Sequence, residues 1–174
     1  MAAGPPPAGP PPAGPPPAAA PRRVWRTGSP AATQALAEAL GRVARPGDVV
    51  LLVGPLGAGK TCFVQGLARA LGVTTPVKSP TFVLLVEHHG RVPLAHVDLY
   101  RLDGARSLDD LGLEEQTDTH VLAVEWGEKL EGRVDDGLVV ELAEDGAEGR
   151  AIVARSLGER GRELLKAWGE AAPA

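Results

Sequence analysis

The run "DVVLLVGPLGAGKT", residues 48–61, constrains this chain more than any other, because a strand-forming apolar segment passes at once into a loop almost devoid of side chains. Its apolar part shows no alternation with polar residues, the pattern of a strand covered on both faces in a parallel sheet. Gly54, four intervening residues, then Gly59, Lys60 and Thr61 match the spacing of a P-loop. Phe63, Leu67, Ala70 and Leu71 follow as one helical stripe, which Gly72 ends. Strand, glycine loop and helix is the order in which bare backbone N–H groups curl round phosphate oxygens, helped by the partial positive charge of the helix start. Gly54, Gly57, Ala58 and Gly59 are expected to form that cradle. Lys60 would bridge the outer phosphates, and Thr61 would offer its hydroxyl to a magnesium ion on the same phosphates. The N–H of Cys62 stands where an α-phosphate would lie.

With 174 residues, 44% of them hydrophobic, the chain can bury one core. Eighteen basic against 22 acidic residues give a net charge of −4, which lacks the basic balance of a dedicated nucleic-acid binder, so any RNA contact is expected through a partner. A single cysteine cannot form an internal disulfide, and the N-terminus has no secretion-signal pattern; a cytoplasmic location without membrane contact is the expectation. Three copies of "AGPPP" begin at Ala3 and offer no large apolar side chain to a core. Residues 1–21 therefore read as a disordered tail, 22–168 as a single domain, and 169–174 as a disordered C-terminus.

Within the domain, "RVWRT" suits a first strand, and Ser29-Pro30 suits the start of a helix with Ala32, Leu36, Leu40 and Val43 on its apolar face. The fold class expected is α/β, a P-loop NTPase with a mixed parallel and antiparallel central sheet flanked by helices. Magnesium needs an acid, and a carboxylate at the end of a buried strand points into the crevice beyond the strand ends. Glu125, after the apolar run 121–124, and Asp98, in "PLAHVDLYRL", both qualify. One acid at the metal and one group to place the attacking water would serve hydrolysis, although each is also readable as a solvated strand-end carboxylate.

"GPLGAGKT", "KSPTFVL", "HVDLYRL", "LGLEE" and "VEWGEKL" occur in an order and spacing that closely resemble the TsaE family, the small ATPases of bacterial tRNA threonylcarbamoyladenosine synthesis. The likeness spans about residues 24–155. It implies ATP as the nucleotide and a role in modifying the adenosine beside the anticodon of some tRNAs. In such systems TsaB and TsaD form the modifying enzyme, and TsaE acts on that pair through its ATPase cycle, reaching tRNA only indirectly. By the resemblance, Lys60 and Thr61 bind phosphates and magnesium, Glu125 is a metal carboxylate and Asp98 supports hydrolysis. Ser79, Pro80, Thr81 and Phe82 match the switch segment, and Ser29 and Arg150 match positions near the base, though a helix cap and a hairpin arginine account for those two equally well. Trp126 is readable as nucleotide or partner surface, or as core.

Cys62 departs from the family, which usually carries a second threonine there. A helix N-terminus and the Lys60 ammonium would lower its thiol pKa if the sulfur faces the loop, whereas a packing role would turn it inward. His88 and His89 alternate across a strand, which argues against a zinc site with Cys62. Two other functions stay open: a small-molecule P-loop kinase, for which the sequence shows no arginine-rich lid, Arg101 and Arg106 being readable as surface charges, and a nucleotide-binding regulatory module without turnover.

Overall fold

The computed structural model describes residues 21–82, 84–103, 108–130 and 132–173. Residues 1–20 of the expected tail, and Arg106, lie outside them. Pro21 does not behave as tail, since its carbonyl accepts a hydrogen bond from the Ser156 N–H.

The elements run β1 (Arg22–Thr27), α1 (Pro30–Val43), β2 (Val49–Val53), α2 (Lys60–Ala70), β3 (Leu85–His88), β4 (Leu94–Asp98), α3 (Glu114–Thr119), β5 (Val121–Glu125), β6 (Gly137–Glu144), β7 (Arg150–Leu157) and α4 (Gly158–Ala171). The strands form one sheet in the order β1-β7-β6-β2-β5-β4-β3. The central four, β6, β2, β5 and β4, are mutually parallel. β3 pairs antiparallel with β4 at one edge, and β7 and β1 continue antiparallel from β6 at the other. This is the mixed sheet expected from the sequence. No helix among the described residues is long and apolar enough to cross a membrane.

β2 is apolar throughout because both of its faces are covered. Val50 and Leu52 join the core beneath α1, α2 and α4, while Val49 and Leu51 join a second core on the opposite face. That second face is closed by Leu99, Leu113, Leu130 and Val134, carried on connecting segments. Ser29 caps α1 by accepting from the Ala32 N–H at 3.2 Å, and Pro30 fills the first turn, where a missing N–H costs nothing. α1 and α2 approach closely at Gly66, where a Cβ would stand 2.3 Å from the Gln34 carbonyl oxygen.

The C-terminal boundary differs from expectation, because α4 continues to Ala171. Trp168 is fully buried, stacks tilted on Trp25 and edge-on to Phe63, and donates its indole N–H to the Leu36 carbonyl. Ala171 and Ala172 pack against the same core, so the helix extends past the residue at which disorder was expected. At the other end of α4, Arg160 grips the buried Asp48 carboxylate with two hydrogen bonds of 2.7 and 2.8 Å, tying that helix to the entrance of β2.

Candidate functional site

The parallel register decides which side chains meet. Asp98 is paired with Glu125 across β4 and β5, and Glu125 with Leu52 across β5 and β2, so both acids stand beside the carboxyl end of the strand that feeds the glycine loop. Residues two apart on a strand share a face, which also places His96 on the side of Asp98. The result is an open cavity of about 390 Å³ lined by Gly57, Gly59, Lys60, Thr61, Cys62, Ser79, Thr81, Asp98, Glu125 and Trp126, together with Leu56 and Tyr100.

The loop needs its glycines. Gly54 has φ +149° and a Cβ there would lie 2.3 Å from the Leu142 carbonyl oxygen, while Gly59 adopts the left-handed conformation at the start of α2. Ala58 is buried. Arg150, the first residue of β7, braces the loop from behind: its Nε donates to the Ala58 carbonyl at 2.9 Å and a terminal nitrogen donates to the Gly57 carbonyl at 3.1 Å. Arg150 also borders a small cavity with Pro30, Thr33, Gly59, Cys62 and Glu148. The Ser29 hydroxyl is engaged in its cap, and its chain neighbour Pro30 lines that cavity.

Lys60 is only 4% exposed. Its ammonium donates to the Gly54 and Pro55 carbonyls at 2.6 and 3.0 Å and lies 3.9 Å from the centroid of the Trp126 ring. Burial lowers its pKa, against the opposing pull of Glu125, Glu128 and Asp98. Trp126 thus faces the cavity in part, held in a left-handed conformation at φ +60° and packed against Tyr100. Backbone strain of this kind gathers at functional sites.

Each acid has its own set of partners. Glu125 Oε1 accepts from the Thr61 hydroxyl at 2.8 Å and sits 2.9 Å from Nε2 of the buried His96. Asp98 Oδ2 accepts from the hydroxyls of Ser79 and Thr81, the latter at 2.8 Å, and its Oδ1 accepts from the Tyr100 N–H at 2.8 Å. Ser79 and Thr81 are themselves 2.8 Å apart at their oxygens. Pro80 is buried between them, whereas Phe82 is 85% exposed and carries the Arg101 guanidinium over its ring. Lys129 donates to the carbonyls of Leu99, Tyr100 and Leu102, fixing the chain just after Asp98.

The expected lowering of the Cys62 pKa is not found. Its sulfur donates weakly to the Pro30 carbonyl at 3.5 Å, and burial raises the thiol pKa against the opposing effects of Gln34, Arg150 and Arg69. Desolvation outweighs the nearby positive charges because the thiol leans toward α1. Sequence reasoning missed His96 and Lys129. Strand alternation from Asp98 was the available signal for His96; Lys129 had none, since its acceptors lie about thirty residues away.

A glycine loop that opens a helix, a lysine and threonine at its end, and an acid on the neighbouring parallel strand define a nucleotide-binding protein of the P-loop NTPase class. Within that class the chain belongs to the TsaE family. The family model for threonylcarbamoyl adenosine biosynthesis protein TsaE matches residues 27–152. The tRNA threonylcarbamoyladenosine biosynthesis protein TsaE of Bacillus subtilis is 40% identical over 139 residues, covering 78% of this chain and 87% of the relative. Its namesake from Treponema pallidum is 48% identical over 92 residues, 52% of this chain and 68% of the relative. The crystal structure of Bacillus subtilis YdiB superposes with a TM-score of 0.74 at 34% identity, covering 87% of this chain and 96% of that one.

Proposed function

We propose that this protein is the ATP-binding and ATP-hydrolysing component of tRNA threonylcarbamoyladenosine biosynthesis, acting in the cytoplasm on a TsaB–TsaD complex and reaching tRNA only through it. The supporting observation is the convergence of Lys60, Thr61 and Glu125 on one side of the cavity with Asp98, Ser79 and Thr81 on the other, at the carboxyl ends of adjacent parallel strands.

The donor set fits magnesium, since Thr61 and Glu125 present oxygens to one another at 2.8 Å and hard cations take oxygen ligands. Bound there, the ion would neutralise charge on the β- and γ-phosphates. The protein's own groups divide the remaining tasks. Lys60 exchanges its two loop carbonyls for phosphate oxygens, and the N–H groups of residues 57–62 hold the rest of the polyphosphate. Glu125 keeps the Thr61 hydroxyl turned into the cavity. Asp98 binds the hydroxyls of Ser79 and Thr81 and, in this reading, orients the attacking water, which would make the switch and the hydrolytic acid one unit. Arg150 and Ser29 stand on the side assigned to the base.

Turnover by the chain alone is expected to be slow, below about 1 per second, and to rise on adding TsaB and TsaD. Phosphate release with and without those proteins, and with candidate small-molecule acceptors, tests this. Lys60→Ala should abolish ATP binding by calorimetry in a chain that still folds. Unchanged affinity in that variant would remove the phosphate site, and acceptor-dependent turnover would favour a kinase.

A further inference from the structure

His96 has no part in the activity described above, yet it is fully buried beneath the site. Its Nε2 lies 2.9 Å from Glu125 Oε1. A carboxylate oxygen only accepts, so Nε2 carries the hydrogen and the imidazole is held in one tautomer. The second nitrogen, Nδ1, is buried with no hydrogen-bond partner among the described residues, as is Nε2 of His88, whose ring centroid is 6.2 Å away. A leucine would fill the same place without burying an unsatisfied nitrogen. The residue is therefore poorly explained by packing, and among the described residues its one directed bond ends on Glu125.

That bond and the one from Thr61 both use Oε1 and come from different elements: Thr61 stands in the first turn of α2, and His96 stands on β4. Two donors converging on Oε1 restrict rotation of the carboxylate, and with Oε1 so engaged Oε2 is the oxygen that would serve a cation. We propose that His96 is a positioning residue for magnesium, acting through Glu125 and touching neither metal nor nucleotide. The inference rests on the magnesium reading of Thr61 and Glu125. Groups that orient a metal's carboxylate in this way are worth about 10- to 100-fold in metal affinity.

Calorimetric titration of ATP, at graded magnesium and in EDTA, tests the proposal without measuring turnover. His96→Leu removes the donor and should raise the magnesium needed for half-maximal nucleotide binding by about 10-fold or more, leaving ATP affinity in EDTA unchanged. His96→Gln restores an N–H donor and should bring the requirement back toward wild type. His96→Asn, whose amide is too short to reach Glu125, should resemble the leucine variant and decides the matter if that variant does not fold. A folded leucine or asparagine variant with the wild-type magnesium requirement would overturn the proposal, as would equal loss of ATP affinity in EDTA for all three. Wild-type protein that binds ATP identically with and without magnesium would instead sink the metal reading itself, and the inference with it.

Discussion

Replacing Asp98 by alanine removes the acceptor of three hydrogen bonds at once, those from Ser79, Thr81 and the Tyr100 N–H. A hydrogen bond to a buried charge is worth about 1.5–3 kcal/mol, and bonds that share an acceptor do not simply add. Taking the two hydroxyl bonds at the low end gives about 3 kcal/mol holding the segment 79–81 against the sheet, roughly 150-fold in its opening equilibrium. The backbone there is also tied by the Leu84 N–H to the Pro80 carbonyl and by the Asp98 N–H to the Leu84 carbonyl. Hydrogen exchange followed by mass spectrometry should therefore show faster exchange in peptides covering residues 78–82, with little change in α1 or α2. ATP affinity should be spared, because Lys60 and the loop amides remain, while phosphate release in the presence of TsaB and TsaD should fall. Unaltered exchange in that segment would refute the idea that Asp98 anchors the switch. Normal hydrolysis would refute its role in turnover.

Glu125→Ala should weaken the magnesium dependence of nucleotide binding, because Thr61 loses the acceptor that orients its hydroxyl; titration calorimetry at graded magnesium reads this directly. Trp168→Ala should cost about 3–5 kcal/mol in denaturant unfolding, given its complete burial and its lost bond to Leu36, and a cost below about 1 kcal/mol would contradict the packing described. Burial, and secondarily His96, lower the pKa of His88 from its ordinary 6.5. The unfolded chain then takes up the proton first, so stability present above about pH 6.5 should decline as the pH falls below it, and His88→Gln should flatten that decline in pH-dependent melting. Because burial raises the Cys62 thiol pKa, iodoacetamide labelling should be slow at neutral pH and accelerate only above the ordinary thiol range of about 8.5. Rapid labelling at pH 7 would show a thiolate there.

The parts legible in the sequence were those fixed by local spacing. β2, the glycine loop and α2 could be placed because hydrophobic runs, left-handed glycines and a helical stripe follow one another within about twenty residues. Asp98 and Glu125 were findable as acids at strand ends, and the family resemblance suggested a role for each, but their hydrogen-bond partners were not legible: Ser79 and Thr81 donate to Asp98, and Thr61 to Glu125, across 17 to 64 residues of chain. The direction of the Cys62 sulfur depended on the seating of α1 against α2, which no local pattern encodes. At the C-terminus, residues 169–174, without a large apolar side chain, gave no periodic signal, and the anchor at Trp168 acts through Leu36, Phe63 and Trp25 on distant elements.

The strand order also governs where the protein can be handled without disturbing its chemistry. β1 forms one margin of the sheet and stands five strand positions from β4, so at about 4.8 Å per step the chain enters the fold roughly 24 Å away from the Asp98 strand. Pro173 returns to that same margin, beside Val24 and Trp25. A fluorophore, affinity handle or fused domain attached ahead of Pro21 or after Pro173 would therefore load the sheet on the side remote from Ser79 and Thr81. An optical reporter meant to sense nucleotide belongs on the opposite margin, where Phe82 and Tyr100 stand exposed.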